Sequence, residues 1–201
     1  MARSSSFLTI TVGLVLPVVA LVALSAERAR GQYAVFDADA AMRQFQERVD
    51  SYAALHRRLA PPPAAISSTD PITKLLSRNY LAAALRGTRR YAQQGDIFTP
   101  EVTTLFRWAL ADSIGEQDGE AFLIELNAGQ PVPRGMHPDV NEPYTMTPLY
   151  RIPQEVRLGL PPLPAELDYR IAARDLVLWD IYAGVVVDFI PDALTSRIAT
   201  E

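Results

Sequence analysis

The stretch Tyr169–Ile190, YRIAARDLVLWDIYAGVVVDFI, decides the fold. It is dense in β-branched and aromatic residues and is broken twice by turn-forming ones. Tyr169–Ala173 predicts a first strand, Arg174-Asp175 a turn, and Leu176–Trp179 a second strand. Asp180 to Gly184 predicts a longer turn, with the Asp180 carboxylate bonding turn amides and Gly184 taking positive φ. Val185–Ile190 predicts a third strand, stopped by Pro191. Alternation places Val185, Val187 and Phe189 on one face and Asp188 on the other. A three-stranded antiparallel meander over residues 165–194 does not stand alone, so it must lie on another layer.

The residues ahead of it, 32–130, supply that layer. Met42, Phe45, Val49, Tyr52 and Leu59 recur at helical steps and predict a helix from Phe36 to Leu59, ended by Pro61-Pro62-Pro63. Asp70-Pro71 is a cap followed by proline at the first helical position. The second helix is read from there to Gly95, with Ile72, Leu75, Leu76, Tyr80 and Ala83 inward. Thr99-Pro100 repeats the start signal for a third helix, with Val102, Leu105, Phe106, Ala109 and Leu110 inward and Gly115 at its end. A fourth opens at Asp118 and carries Phe122, Leu123 and Leu126. Between the helical part and the meander, residues 131–164 hold nine prolines in 34 residues. Met136, Tyr144, Met146, Leu149, Tyr150 and Ile152 within it favour an ordered strap over a free linker. A helical turn is expected near Gln154–Leu158. The fold class is therefore α+β: about four amphipathic helices, a proline-rich strap and a C-terminal meander.

The chain starts with a leader. Arg3 precedes an apolar run from Phe7 to Ala26, and Ala29-Arg30-Gly31 has small residues where a signal peptidase needs them. Residues 1–31 read as a signal peptide cleaved after Gly31; an uncleaved anchor, with Phe7–Ala26 in the membrane, is the other reading. Either one exports residues 32–201, to the periplasm, the medium or the outer side of the membrane. Arg3, Arg28, Arg30 and Glu27 belong to the leader, which leaves 16 basic and 22 acidic residues, a net charge of −6. That balance argues against nucleic acid and against anionic headgroups as main partners. The chain has no cysteine, which rules out lipoprotein attachment, disulfides and a cysteine nucleophile.

The chemistry-bearing residues are few. The two histidines are His56, near the end of the first helix and expected to be partly exposed, and His137 in a loop. His137 with Asp139 and Glu142 is a candidate acid/base or metal group of generic spacing. Asp175, Asp180 and Asp188 are too dispersed for a compact calcium loop and read as turn-forming or strand-edge residues. Arg86, Arg89 and Arg90 share a helix face at i, i+3, i+4 and, with Arg57 and Arg58, form a candidate site for a small acidic ligand. A solvated, salt-bridged face is the other reading of the same residues. Neither a nucleophile elbow nor a phosphate-binding glycine loop occurs. The aromatics Phe36, Tyr144, Tyr150, Tyr169, Trp179 and Tyr182 are expected where strap, meander and helices meet, as core or as a binding groove.

Leu160-Pro161-Pro162-Leu163-Pro164, Tyr169-Arg170-Ile171, Asp175–Asp180 and Val185–Asp188 together resemble the tails of exported bacterial proteins to which no activity is assigned. Gln94–Val102 resembles the same group. The last 35 or so residues also resemble small β-modules of periplasmic proteins linked to nickel and cobalt homeostasis, through a strand-turn-strand pattern alone. These likenesses imply a fold and a compartment and carry no functional residue. The expectation is a non-catalytic cell-envelope protein that binds an envelope partner or ligand, with no cofactor and no metal. A hydrolase or metal-dependent enzyme built on the His137 loop, and a membrane-anchored subunit of an envelope complex, are the alternatives.

Overall fold

The computed structural model describes residues 37–115 and 119–194. Residues 1–31, read above as a leader, and Phe36 and Asp118 lie outside the described residues. Helix α1 is Ala38–Leu59, α2 Pro63–Ile66, α3 Pro71–Thr88, α4 Pro100–Ile114, α5 Gly119–Leu126 and α6 Gln154–Leu158. Strands β1 Leu149–Arg151, β2 Leu167–Ala172, β3 Asp175–Asp180 and β4 Val186–Ile190 form one antiparallel sheet in chain order. The fold is α+β. None of the helices described is long and apolar enough to cross a membrane.

The sheet has four strands where the sequence reading had three. The extra one, β1, comes from the proline-rich segment and pairs Tyr150 with Ile171 at the sheet edge. Three residues between prolines suffice there, because an edge strand needs donors on one side only. The tight turn is also displaced by one residue. Ala172 pairs with Asp175, so Ala173-Arg174 form the turn and Asp175 starts a strand. Ala173 takes φ +51 to close it.

Helix starts follow their caps. Asp70 accepts from Ile72 N and Thr73 N, and Thr99 from Val102 N. The core is centred on Phe45, Phe98 and Phe106, whose rings lie 5.0–5.7 Å apart. Tyr169 of β2 meets Phe106 edge-on at 5.7 Å and ties the sheet to the helices. Leu176, Leu178 and Ile190 face this helical layer. Val177, Val186 and Phe189 face the other side of the sheet, where Val140 and Tyr144 of the proline-rich segment cover them. The predicted aromatic cluster is thereby split by the sheet: Tyr169, Tyr150 and Tyr182 pack on the helix side, Tyr144 and Trp179 on the far side.

Strand β4 does not alternate as the sequence implies. Leu178 pairs with Asp188 and Trp179 with Val186, which leaves Val187 as an extra residue. This β-bulge turns Val187 toward the helices and still lets Asp188 face the same layer, while Phe189 goes to the far side.

Helix α3 departs furthest from expectation. It stops at Thr88, with Arg89 as its C-cap, and Gly95 (φ +91) sits in the loop beyond. Its inward row is Ser77, Leu81 and Leu85. Ile72, Leu75, Leu76, Tyr80 and Ala83, read as inward, all face solvent.

Candidate functional site

Three aspartates of the meander, Asp175, Asp180 and Asp188, are buried, and each is matched to donors from elsewhere in the chain. Asp188 accepts four amide protons: from Gly95 (2.9 Å) and Phe189 (2.8 Å) on Oδ1, and from Ile97 (2.7 Å) and Phe98 (2.8 Å) on Oδ2. Burial pushes its pKa up, and these amides work against the rise. The bulge in β4 exists at the position that lets one carboxylate hold the 95–98 loop, and with it the start of α4.

Asp180 does what the turn reading asked, and more. Its Oδ1 accepts from Tyr182 N (3.0 Å) and Ala183 N (2.6 Å), closing the β3–β4 turn. Its Oδ2 accepts from Tyr52 Oη at 2.8 Å and lies 2.6 Å from His56 Nδ1. A carboxylate only accepts, so His56 carries the proton on Nδ1. His56 was expected to be partly exposed but is 6% exposed, since the meander covers the end of α1. The Tyr52 hydroxyl is held neutral, its pKa raised by burial and then by Asp180. A His–Asp pair closed to solvent fastens α1 to the sheet and offers no atom to a substrate.

His137 is the more open histidine. Its Nδ1 lies 2.8 Å from Asp175 Oδ2, its ring stacks on Phe189, and its side chain is 38% exposed. Asp175 is fully buried, accepts also from Asp192 N (2.9 Å), and has its pKa raised by burial. Its partner is thus neither Asp139 nor Glu142. Glu142 pairs with Arg86 at 2.6 Å, and Asp139 uses its carbonyl to cap a turn at Glu142 N. Among the described residues no group of three or more acidic or histidine side chains is placed to hold a metal.

Four of the five candidate arginines are engaged with protein, and Arg58 is exposed. Arg89 spans Asn141 Oδ1 (2.8 Å) and the Val187 carbonyl (3.1 Å) and sits over the Tyr52 ring at 5.0 Å. Its pKa is lowered by this burial. Arg86 holds Glu142, Arg90 stacks on Tyr91, and Arg57 pairs with Glu166 at 2.6 Å.

What the sequence reading missed is an apolar surface. On α3, Ile72 is 68% exposed, Leu75 57%, Leu76 64% and Tyr80 63%. The Arg78 side chain reaches the Ala183 carbonyl (3.3 Å) and holds the β3–β4 turn, with exposed Ile181, along the flank of this helix. A contiguous exposed patch of this kind marks an interaction site. The signal was in the sequence: apolar residues run round α3 on more than one stripe, which a helix with one buried face does not need.

Fold and surface together define a helical layer on an antiparallel meander that leaves one helix face apolar and open. No family model matches the chain, and no curated protein and no solved structure is similar to it.

Proposed function

We propose that the protein is a non-catalytic, exported cell-envelope protein that binds a protein partner through the outer face of α3. The open row Ile72, Leu76 and Tyr80 carries this reading. The leader sequence supports the compartment. The engagement of half-buried Arg89 and of buried Asp180 and Asp188 with protein groups supports a structural use of these polar side chains. The test is a photo-crosslinking residue at position 76 in the native cell. A specific protein adduct is expected, absent when the same residue is placed at buried position 81. Full accumulation of the protein without any adduct would sink the reading.

One observation favours a second reading. His137 is oriented by buried Asp175 and keeps an exposed ring, the arrangement of a general base awaiting a nucleophile. A hydrolase on this loop would lose its turnover on His137→Ala and keep its thermal midpoint within a few degrees. A screen of ester and peptide substrates with no activity sensitive to this substitution disposes of it.

A further inference from the structure

We infer that His137 is a pH-sensitive fastening: charged, it holds residues 131–139 of the proline-rich segment against the sheet, and neutral, it lets them lift. No helix or strand lies between α5 and β1. The segment is pinned at two places along this course. At its start the Asn127 side chain donates to the carbonyls of Gln130 (3.0 Å) and Pro131 (3.3 Å). Further on, Asn141 N donates to Val186 O (2.7 Å), Glu142 O accepts from Val186 N (3.0 Å), and Arg89 holds the Asn141 side chain. Between those pins, two ion pairs reach the rest of the protein. Arg134 lies 3.3 Å from Glu120 with its side chain 76% exposed, and a pair so open to water contributes little. His137, at 2.8 Å from fully buried Asp175, is therefore the main polar hold on this limb. Buried Pro138 and the Phe189 ring beneath the imidazole are the apolar surface that it keeps covered.

The charges linked around this contact are one cation short. On β3 the imidazole meets the Asp175 carboxylate. Arg174, in the turn before β3, lies 2.6 Å from Glu120 of α5 and 3.3 Å from Asp192 beyond β4, and Asp192 N donates to Asp175. On the segment itself, Arg134 pairs with the same Glu120, and Asp139 is exposed. The carboxylates of Asp175, Asp192 and Glu120 thus face the guanidiniums of Arg174 and Arg134, and a proton on His137 supplies the missing positive charge. Histidine is the side chain whose charge changes between about pH 5 and pH 8. A cation that gains a carboxylate partner contributes below its unfolded value, about 6.5 for histidine, and the contribution is lost as pH rises. The hold has an acid limit as well, where Asp175 takes a proton: burial raises its pKa, with the His137 hydrogen bond opposing. This role needs no substrate and no partner.

The chain has no cysteine, so Met136→Cys gives a single site for a nitroxide label beside His137. Electron spin resonance then reads the mobile fraction of the label on protein isolated from cells expressing the full chain. Between about pH 6 and about pH 8 the ratio of mobile to immobile label should rise about twofold to fivefold, the range for a partly exposed ion pair. Two further substitutions at the exposed position 137, in the labelled background, separate charge from shape. His137→Gln is neutral throughout and should give the mobile, alkaline spectrum at every pH. His137→Lys is charged throughout and should give the immobile one, pH 8 included. A label whose mobility does not change with pH overturns the proposal. So does a pH response that survives in His137→Gln, since it would belong to His56 or to a carboxylate, and so does a His137→Lys label as mobile as that of His137→Gln.

Discussion

Asp188 shows how much one side chain decides. Its two oxygens collect four amide protons from two segments of chain, the 95–98 loop and β4 itself. Asp188→Asn keeps the size but turns an NH₂ group against amide donors. Each buried donor left without an acceptor costs about 1–3 kcal/mol, so the variant should lose about 3 kcal/mol or more in urea unfolding. A loss under 1 kcal/mol would mean that the loop is held by other contacts. Asp180 makes a second test. Tyr52 and His56 share its Oδ2, so a double-mutant cycle with Tyr52→Phe and His56→Phe should show a coupling of about 1 kcal/mol or more. Strict additivity of the two would contradict a shared acceptor.

The pH response is also settled by single groups. The Arg57 guanidinium, hydrogen-bonded to Glu166, lowers the Glu166 pKa, and the Thr73 hydroxyl lowers that of Asp70. A lowered folded pKa gives stability that is present above the unfolded value, near 4.3 for Glu, and is lost as pH falls through the folded one. The midpoint difference between the wild type and Arg57→Ala should therefore be visible at pH 7 and fade below about pH 4. Asp175 and Asp188 work in the opposite sense. Burial raises both, so their contribution is present at low pH and lost as pH rises through the folded values.

At the scale of elements, α3 is the instructive case. Its two apolar rows are similar in the sequence, and only one is buried. Leu81→Ala should cost about 2–5 kcal/mol, because it empties a fully buried site. Leu76→Ala should cost less than about 0.5 kcal/mol in dilute monomer. Reversal of these two in chemical unfolding would restore the orientation expected from the sequence. The β3–β4 turn is constrained in another way. Gly184 has φ +70, and a Cβ there would meet the Arg78 guanidinium. A side chain at that position is strained twice over.

For the molecule as a whole, Phe106 and Tyr169 join the two layers into one core. Helical circular dichroism and the fluorescence of Trp108 on α4 and Trp179 on β3 should then report a single, coincident thermal transition. Separate transitions would mean that the sheet and the helices hold together independently. The sequence by itself determined most of the elements and some of their ends: the caps at Asp70 and Thr99, the Gly115 stop, the turn at Asp180–Gly184, and an ordered turn of helix at 154–158. These are local effects, in which a side chain acts on backbone within a few residues, so spacing alone reveals them. Tertiary structure alone decided which row of α3 is buried, that His56 lies under the meander, that His137 meets Asp175 and not Asp139, and that β4 bulges at Val187. Each of these depends on residues tens of positions apart competing for the same space and the same hydrogen-bond donors, and that competition leaves no period in the sequence.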